Sequence, residues 1–165
     1  MDGKALQDAF VFTCDRMRRY EGDWHLEQRL LFPGLLFLES QDKDRLCQEL
    51  DRDPEIRQLL GNRIGIQAID PEVEGFLRGL CGASHHSGMS RGYIRDGQTF
   101  VTEGPLCGKE SLIRKIDRHK RVARIGMAPE RKSARGKRSP ESEPARETMI
   151  SERELQVGLE IVTKS

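Results

Sequence analysis

The chain has 165 residues, 36% of them apolar and 33% charged, with a net charge of +1. That length builds one ordinary domain or two small ones, and that composition describes a chain with a limited core and some length left unfolded. It excludes a helical membrane span, because the longest apolar run, Leu30 to Leu38, is broken by Pro33 and Gly34 and a span needs about 20 residues.

In chain order, Met1-Asp2-Gly3-Lys4 has no apolar segment behind it, so no signal peptide is expected and the cytosol is the expected compartment. Phe10 to Cys14 is aromatic and β-branched, and Arg16 to Tyr20 continues it as a strand. Glu21-Gly22-Asp23 supplies turn chemistry, and Trp24 to Leu30 alternates apolar and polar, so the two runs predict a long β-hairpin. Leu35 to Leu38 reads as an interior strand after the Phe32-Pro33-Gly34 kink. Asp42 caps a predicted helix to Leu50, with Leu46 and Leu50 one turn apart. Pro54 opens a second short helix with Ile56, Leu59 and Leu60 on one side, stopped by Gly61. Ile64, Ile66 and Ala68 alternate as a strand. Asp70-Pro71 then starts a helix that turns Val73, Phe76, Leu77 and Leu80 inward and ends before Gly82.

Residues 82–89 are small and polar and read as a linker between a first domain (1–81) and a second (90–165). The second is strand-rich: Gln98 to Thr102, Leu112 to Ile116, Arg121 to Met127 and a last pair within Leu155 to Val162 with Gly158 between them, with turns at Glu103 to Gly108 and Asp117 to Lys120. Ala128 to Met149 holds Pro, Ser, Glu and Arg with almost no apolar residues, so a disordered insertion is expected there. Charge divides along the same line. Residues 1–90 hold 11 Lys and Arg against 16 Asp and Glu, and residues 91–165 hold 17 against 11, a net of −5 facing a net of +6. Leu112 to Arg138 is densest, with 11 cations against Asp117 and Glu130.

Cys14, Cys47, Cys81 and Cys107 form no C-x-x-C pair, so they read as reduced thiols, and no metal or cofactor is expected. Cys81 with His85 and His86 falls short of the four spaced ligands of a structural metal site. The Asp117-Arg118-His119 run has no nucleophile or phosphate loop beside it, and Gly104 with Gly108 opens no helix, so no enzyme is predicted.

Two segments carry a family resemblance. Leu31-Phe32-Pro33-Gly34-Leu35-Leu36-Phe37-Leu38 resembles the F-F-P-G-Y-V-x-V signature of the NusG N-terminal (NGN) domain. Phe100 to Ala123, with Gly104-Pro105-Leu106-Cys107-Gly108-Lys109-Glu110 and Ile116-Asp117-Arg118-His119-Lys120-Arg121, is similar to a KOW motif. Arg18 to His25, Met89 to Ile94 and Val157 to Val162 resemble the LoaP branch of the family. The resemblance implies an α+β chain: an incomplete NGN α/β domain, then a small KOW barrel of the Src-homology-like type. The family opens with a W-Y-V-x-Q-V strand and a helix; this chain begins after that strand, with Ala5 to Ala9 left from the helix.

By the same resemblance, Phe32, Pro33, Gly34 and Leu35 would line an apolar depression that takes the clamp helices of RNA polymerase. Lys109, Arg114, Lys115, Arg118, His119, Lys120 and Arg121 would hold nascent RNA, a hairpin among the options, and Gly104 and Gly108 would allow the tight turn. Leu35 replaces the family's usual Tyr. Ser111 replaces a usual Gly, which would cost about 1 kcal/mol if that position needs a positive φ. The implied function is processive antitermination by a cytoplasmic monomer. The alternatives are a structural RNA-binding protein of the ribosomal KOW type and an inactive fragment keeping only the barrel.

Overall fold

The computed structural model describes residues 5–60, 67–127, 150 and 153–165. The chain is α+β, with ten strands and three α-helices among those residues. The expected insertion at 128–149, the Gly61 stop and the start of the Ile64–Ala68 strand lie outside them.

Strand β1 (Asp8–Phe10) pairs antiparallel with β4 (Phe37–Glu39), Phe10 opposite Phe37. The expected helical remnant at Ala5 to Ala9 is therefore corrected: Asp8 to Phe10 is extended, because its backbone bonds go to β4. The predicted first strand also divides. Val11 and Phe12 lie between β1 and β2 (Thr13–Tyr20), so Phe10 and Cys14 belong to different sheets. The hairpin of β2 and β3 (Asp23–Leu30) forms in full register from Thr13–Leu30 to Tyr20–Asp23. Glu21 and Gly22 both have positive φ, 52° and 82°, the turn whose twist matches a two-stranded ribbon.

Helix α1 (Lys43–Asp51) starts where expected, with the Asp42 carboxylate accepting from the Arg45 N–H at 3.0 Å. Helix α2 (Pro54–Leu60) follows, its first turn bonded by Asp53. Helix α3 (Pro71–Cys81) buries Val73, Leu77 and Leu80, the spacing that reads as one apolar face.

Residues 82–89 differ from the linker reading. Gly82–Ser84 is a 3-10 turn, and β5 (His86–Ser87) pairs parallel with β2. His85 stacks on Phe10 at 3.6 Å, and Ser87 is fully buried.

The second half is a five-stranded sheet in the order β7-β6-β10-β9-β8. Its strands are β6 (Ser90–Arg95), β7 (Gln98–Glu103), β8 (Ile113–Asp117), β9 (Val122–Gly126) and β10 (Glu154–Lys164). Asp96 and Gly97 turn β6 into β7 with φ of 51° and 76°. Strand β10 sits at the centre, parallel to β6 and antiparallel to β9. A short 3-10 turn, Glu110–Leu112, leads into β8 and joins β7 through the Val101 N–H, which donates to Glu110 Oε1 at 3.1 Å. Backbone N–H groups around the Glu110 carboxylate, its own included, hold it below its usual pKa against a smaller opposing effect of burial.

One apolar cluster runs through both halves. It includes Phe12, Phe32 and Phe37, α3's Leu77 and Leu80, and Ile125, Leu155, Val157 and Leu159 of the sheet. The seam lies between β2 and β10, where the Cys14 thiol donates to Gln156 O at 3.6 Å. A Cβ on Gly158 would collide with Met89 Sδ and with the Asp15 carbonyl oxygen, so the seam closes only over glycine.

Candidate nucleic-acid interface

The β8–β9 turn is built around Asp117. Its carboxylate accepts from the Lys120 N–H at 3.0 Å, a side-chain closure typical of Asp in turns. That bond, helped by the Lys120 charge and by the His119 backbone N–H and charge, holds the Asp117 carboxyl below its usual range although partial burial acts the other way. The closed turn pushes Arg118, His119 and Lys120 into water, and Lys115 on β8 is exposed as well. No ion pair to these four is present among the described residues.

Of the other three, two are held by neighbours. Arg114 lies across Gly126 and pairs with Glu154 at 3.4 Å. Arg121 has a left-handed φ of 54° and stacks its guanidinium on the Trp24 ring at 4.1 Å. It also pairs with Glu160 at 3.4 Å, and the same carboxylate takes Arg91 at 3.2 Å. Lys109 is half-buried before the Glu110–Leu112 turn. The predicted ring of seven thus resolves into Lys115, Arg118, His119 and Lys120 facing water, Arg114 and Arg121 tied to neighbours, and Lys109 half-buried.

Gly104 and Gly108 do sit at left-handed φ, 96° and 80°. Gly104 needs more than that freedom: an added Cβ would stand 2.5 Å from Met89 O and 2.6 Å from Ser90 Cα. The loop it begins is pinned by the Leu106 N–H, which donates to the buried Ser90 hydroxyl at 3.1 Å. Ser111 lies in the Glu110–Leu112 turn and is not among the positive-φ residues, so the expected strain at that position is absent.

The Phe32–Leu35 segment is a tight turn. The Leu35 N–H donates to Phe32 O at 3.2 Å, with Pro33 and Gly34 (φ 82°) between them, so proline presets the first corner and glycine permits the second. Phe32 is only 3% exposed. Phe12 and Phe37 close on it with ring centroids 6.0 and 5.3 Å away. Pro33 and Gly34 are exposed and Leu35 half-buried against the core. An open hollow of about 300 Å³ lies beside them, lined by Leu31, Phe32, Pro33, Arg153, Glu154 and Leu155.

Sequence reasoning missed Leu36, which is 60% exposed, and the exposed Val11, Leu26 and Leu30. Leu26 and Leu30 share one side of β3, and that alternation was visible in the sequence. It also missed the hairpin tip, where Tyr20 stacks on His25 at 3.6 Å and Trp24 meets Arg121.

His86 bonds Thr13 Oγ1 through Nδ1 at 2.7 Å and Asp15 through Nε2 at 2.9 Å, fastening β5 to β2. Burial pushes the Cys81 thiol up to about 12, with the neighbouring Cys14 adding to it, and burial raises Cys14 too. Among the described residues no group of three or more His, Cys, Asp or Glu gathers as a metal site, and no helix is long and apolar enough to cross a membrane. A scan against protein-family models finds no match for the chain, and a search of curated proteins finds none.

Proposed function

We propose that the chain is a transcription elongation factor of the NusG type, LoaP-like, which binds RNA polymerase and nascent RNA and carries the polymerase past terminators. In this reading residues up to Cys81 act as the NGN part and the sheet from Ser90 as the KOW barrel, and the chain works by binding, as a cytoplasmic monomer. The single observation that carries the reading is the grouping of exposed Lys115, on β8, with Arg118, His119 and Lys120 on the Asp117-closed turn that follows it, none of the four in an ion pair among the described residues. Such a cluster attracts phosphate, with affinity that falls steeply as salt rises. Three of its four side chains are lysine or arginine, which suits recognition of duplex RNA by shape and backbone.

The polymerase contact would use Pro33, Gly34 and Leu35 together with exposed Leu36, and Phe32 would support them from beneath. Two modest contacts on one chain, to the clamp helices and to emerging RNA, reinforce each other through effective concentration. Single-round transcription across a terminator, with and without the leader RNA, tests the proposal: read-through is expected to rise only with protein and leader together. Unchanged read-through on both templates refutes it. The burial of Phe32 favours a second reading, an RNA-binding protein of the ribosomal KOW type that ignores polymerase. Retention of purified polymerase by the full chain at high salt excludes that reading, and its absence selects it.

A further inference from the structure

The sheets of this fold leave several edges, and these are protected to different degrees. Strands β1 and β4 are three residues long and β5 is two, short edges that offer little to another strand. Both edges of the five-stranded sheet are interrupted: the β6–β7 register skips Thr102, and the β8–β9 register skips Arg114. Interruptions of that kind twist an edge away from a partner. Strand β3 has no such device. It is eight residues long, its register on β2 is unbroken, and it holds neither proline nor lysine. The bonds of its inner side define its outer one. The Leu31 N–H donates to Phe12 O at 2.8 Å, whereas the Thr13 N–H turns the other way, to His85 O at 2.9 Å. Odd-numbered residues of β3 therefore bond β2, and the N–H and C=O groups of Leu26, Gln28 and Leu30 point outward. Among the described residues no strand takes them. Beside them, on one face, the side chains of Leu26 and Leu30 are 60% and 47% exposed.

From this edge we infer that free chains self-associate: two copies of β3 pair antiparallel about a two-fold axis at Gln28. In that register Leu26 stands opposite Leu30 of the second copy, twice, and these pairs exchange backbone hydrogen bonds, as do the two Gln28 residues at the axis. On the other face Glu27 stands opposite Arg29 of the second copy, again twice. Opposite charges set directly across from each other favour a strand pair. Within one chain Arg29 already meets Glu27 at 3.2 Å, so the four groups around the axis alternate in sign. The neighbouring registers match less. An axis at Glu27 sets that carboxylate against itself. One at Leu26 sets Trp24, already under Arg121, against Gln28 and leaves Leu30 without an apolar partner. The matched stretch runs only from Leu26 to Leu30. So short a seam falls below the roughly 1,200 Å² at which stable interfaces begin, and it gives weak association, with Kd on the order of 100 µM. The inference does not rest on the transcription reading, in which a single chain works on polymerase; it concerns chains that are free.

The test is sedimentation velocity of the full chain from about 5 to about 500 µM, with amide hydrogen exchange read by NMR at about 50 and about 500 µM. Monomer is expected at the dilute end and mostly dimer at the concentrated end. Exchange at Leu26, Gln28 and Leu30 should slow about twofold between the two NMR samples, as the dimer fraction rises. The amides of Glu27 and Arg29, already bonded to β2, should not change. Gln28→Pro removes an outward N–H and leaves the β2 ladder whole, because proline is tolerated where an edge N–H faces solvent; association is expected to fall about tenfold or more. Glu27→Arg and Arg29→Glu should each stay monomeric alone and form a mixed dimer when combined, since only the mixture sets unlike charges across the axis. A parent chain that remains monomeric at the top concentration overturns the inference. So does a dimer in which the amides of Leu26, Gln28 and Leu30 exchange as in the monomer, which would put the contact on another surface. Undiminished association of Gln28→Pro, or a mixture of the two charge variants that stays monomeric, overturns it as well.

Discussion

The turn at Phe32–Leu35 and the turn at Asp117–Arg121 are the two places where the sequence concentrates its signals, and the fold treats them oppositely. In the first, the aromatic goes inward: Phe32 joins Phe12 and Phe37, leaving Pro33, Gly34 and Leu36 outside. In the second, Asp117 closes the backbone and the cations stay in water, except Arg121, which finds Trp24 and Glu160. The contrast is one of desolvation. A Phe beside apolar neighbours gains by leaving water, whereas a lysine or arginine does so only with a partner to offset the lost hydration. A motif therefore fixes where a turn falls, and the neighbours across space decide which of its side chains are available to a ligand.

The first way to break the contrast is Phe32→Ala. It should cost about 3–5 kcal/mol in urea unfolding, the range for emptying a buried aromatic site. A loss under 1 kcal/mol would mean that Phe32 is a surface residue after all. Next is Gly104→Ala, where left-handed strain and collision with Met89 O and Ser90 Cα add together; about 3 kcal/mol is expected. Gly34→Ala is the matched control, since its Cβ meets nothing within 4 Å; only the strain of φ 82° remains, about 1 kcal/mol. Equal losses at the two glycines would remove the close-approach argument.

The same contrast explains what could be read in advance. The β2–β3 hairpin, the Asp42 cap, the α3 face and strands β7 to β9 followed from local periodicity and turn residues, because each is decided within its own segment, whereas the pair expected on either side of Gly158 is one continuous strand, β10. The Asp96-Gly97 turn was equally local, a two-residue hairpin signal that was passed over. What could not be read depends on partners distant in sequence. The fate of Asp8 to Phe10 was set by β4, the folding of residues 82–89 by β2, and the loss of Arg121 from the phosphate surface by a Trp24 that lies in the other half. Lys115, Arg118, His119 and Lys120, which face water, were legible as a basic stretch alone.

A middle-sized effect sharpens the outward side of the comparison. Lys115→Glu with Lys120→Glu should abolish RNA retention in a filter assay at moderate salt yet move the urea midpoint by no more than about 0.5 kcal/mol, as exposed substitutions do. A smaller effect isolates the exceptional cation. In a double-mutant cycle of Trp24→Leu and Arg121→Gln, the coupling energy in unfolding is expected near 1 kcal/mol, the range of a partly exposed cation–π pair. RNA affinity should stay within about threefold, because Arg121 is already committed. A coupling near zero would return Arg121 to the phosphate surface.

The smallest effect is electrostatic. Because the Lys120 N–H bond and the nearby positive charges favour the ionised form of Asp117, its carboxyl titrates below the ordinary value of 3.8. The folded state therefore binds a proton there less readily than the unfolded state does. The stabilisation is complete well above pH 3.8, shrinks as pH falls through that value, and is gone below the folded-state pKa. Replacing the carboxylate by an amide keeps an oxygen for the Lys120 N–H but removes the charge. Asp117→Asn should then leave the turn closed at neutral pH and flatten the parent's acid-side slope. Urea midpoints between pH 3 and 7 give both slopes, and RNA affinity at neutral pH provides the cross-check. Unaltered acid sensitivity in the variant would show that Asp117 does not hold the turn, and the outward display of Arg118, His119 and Lys120 would then need another cause.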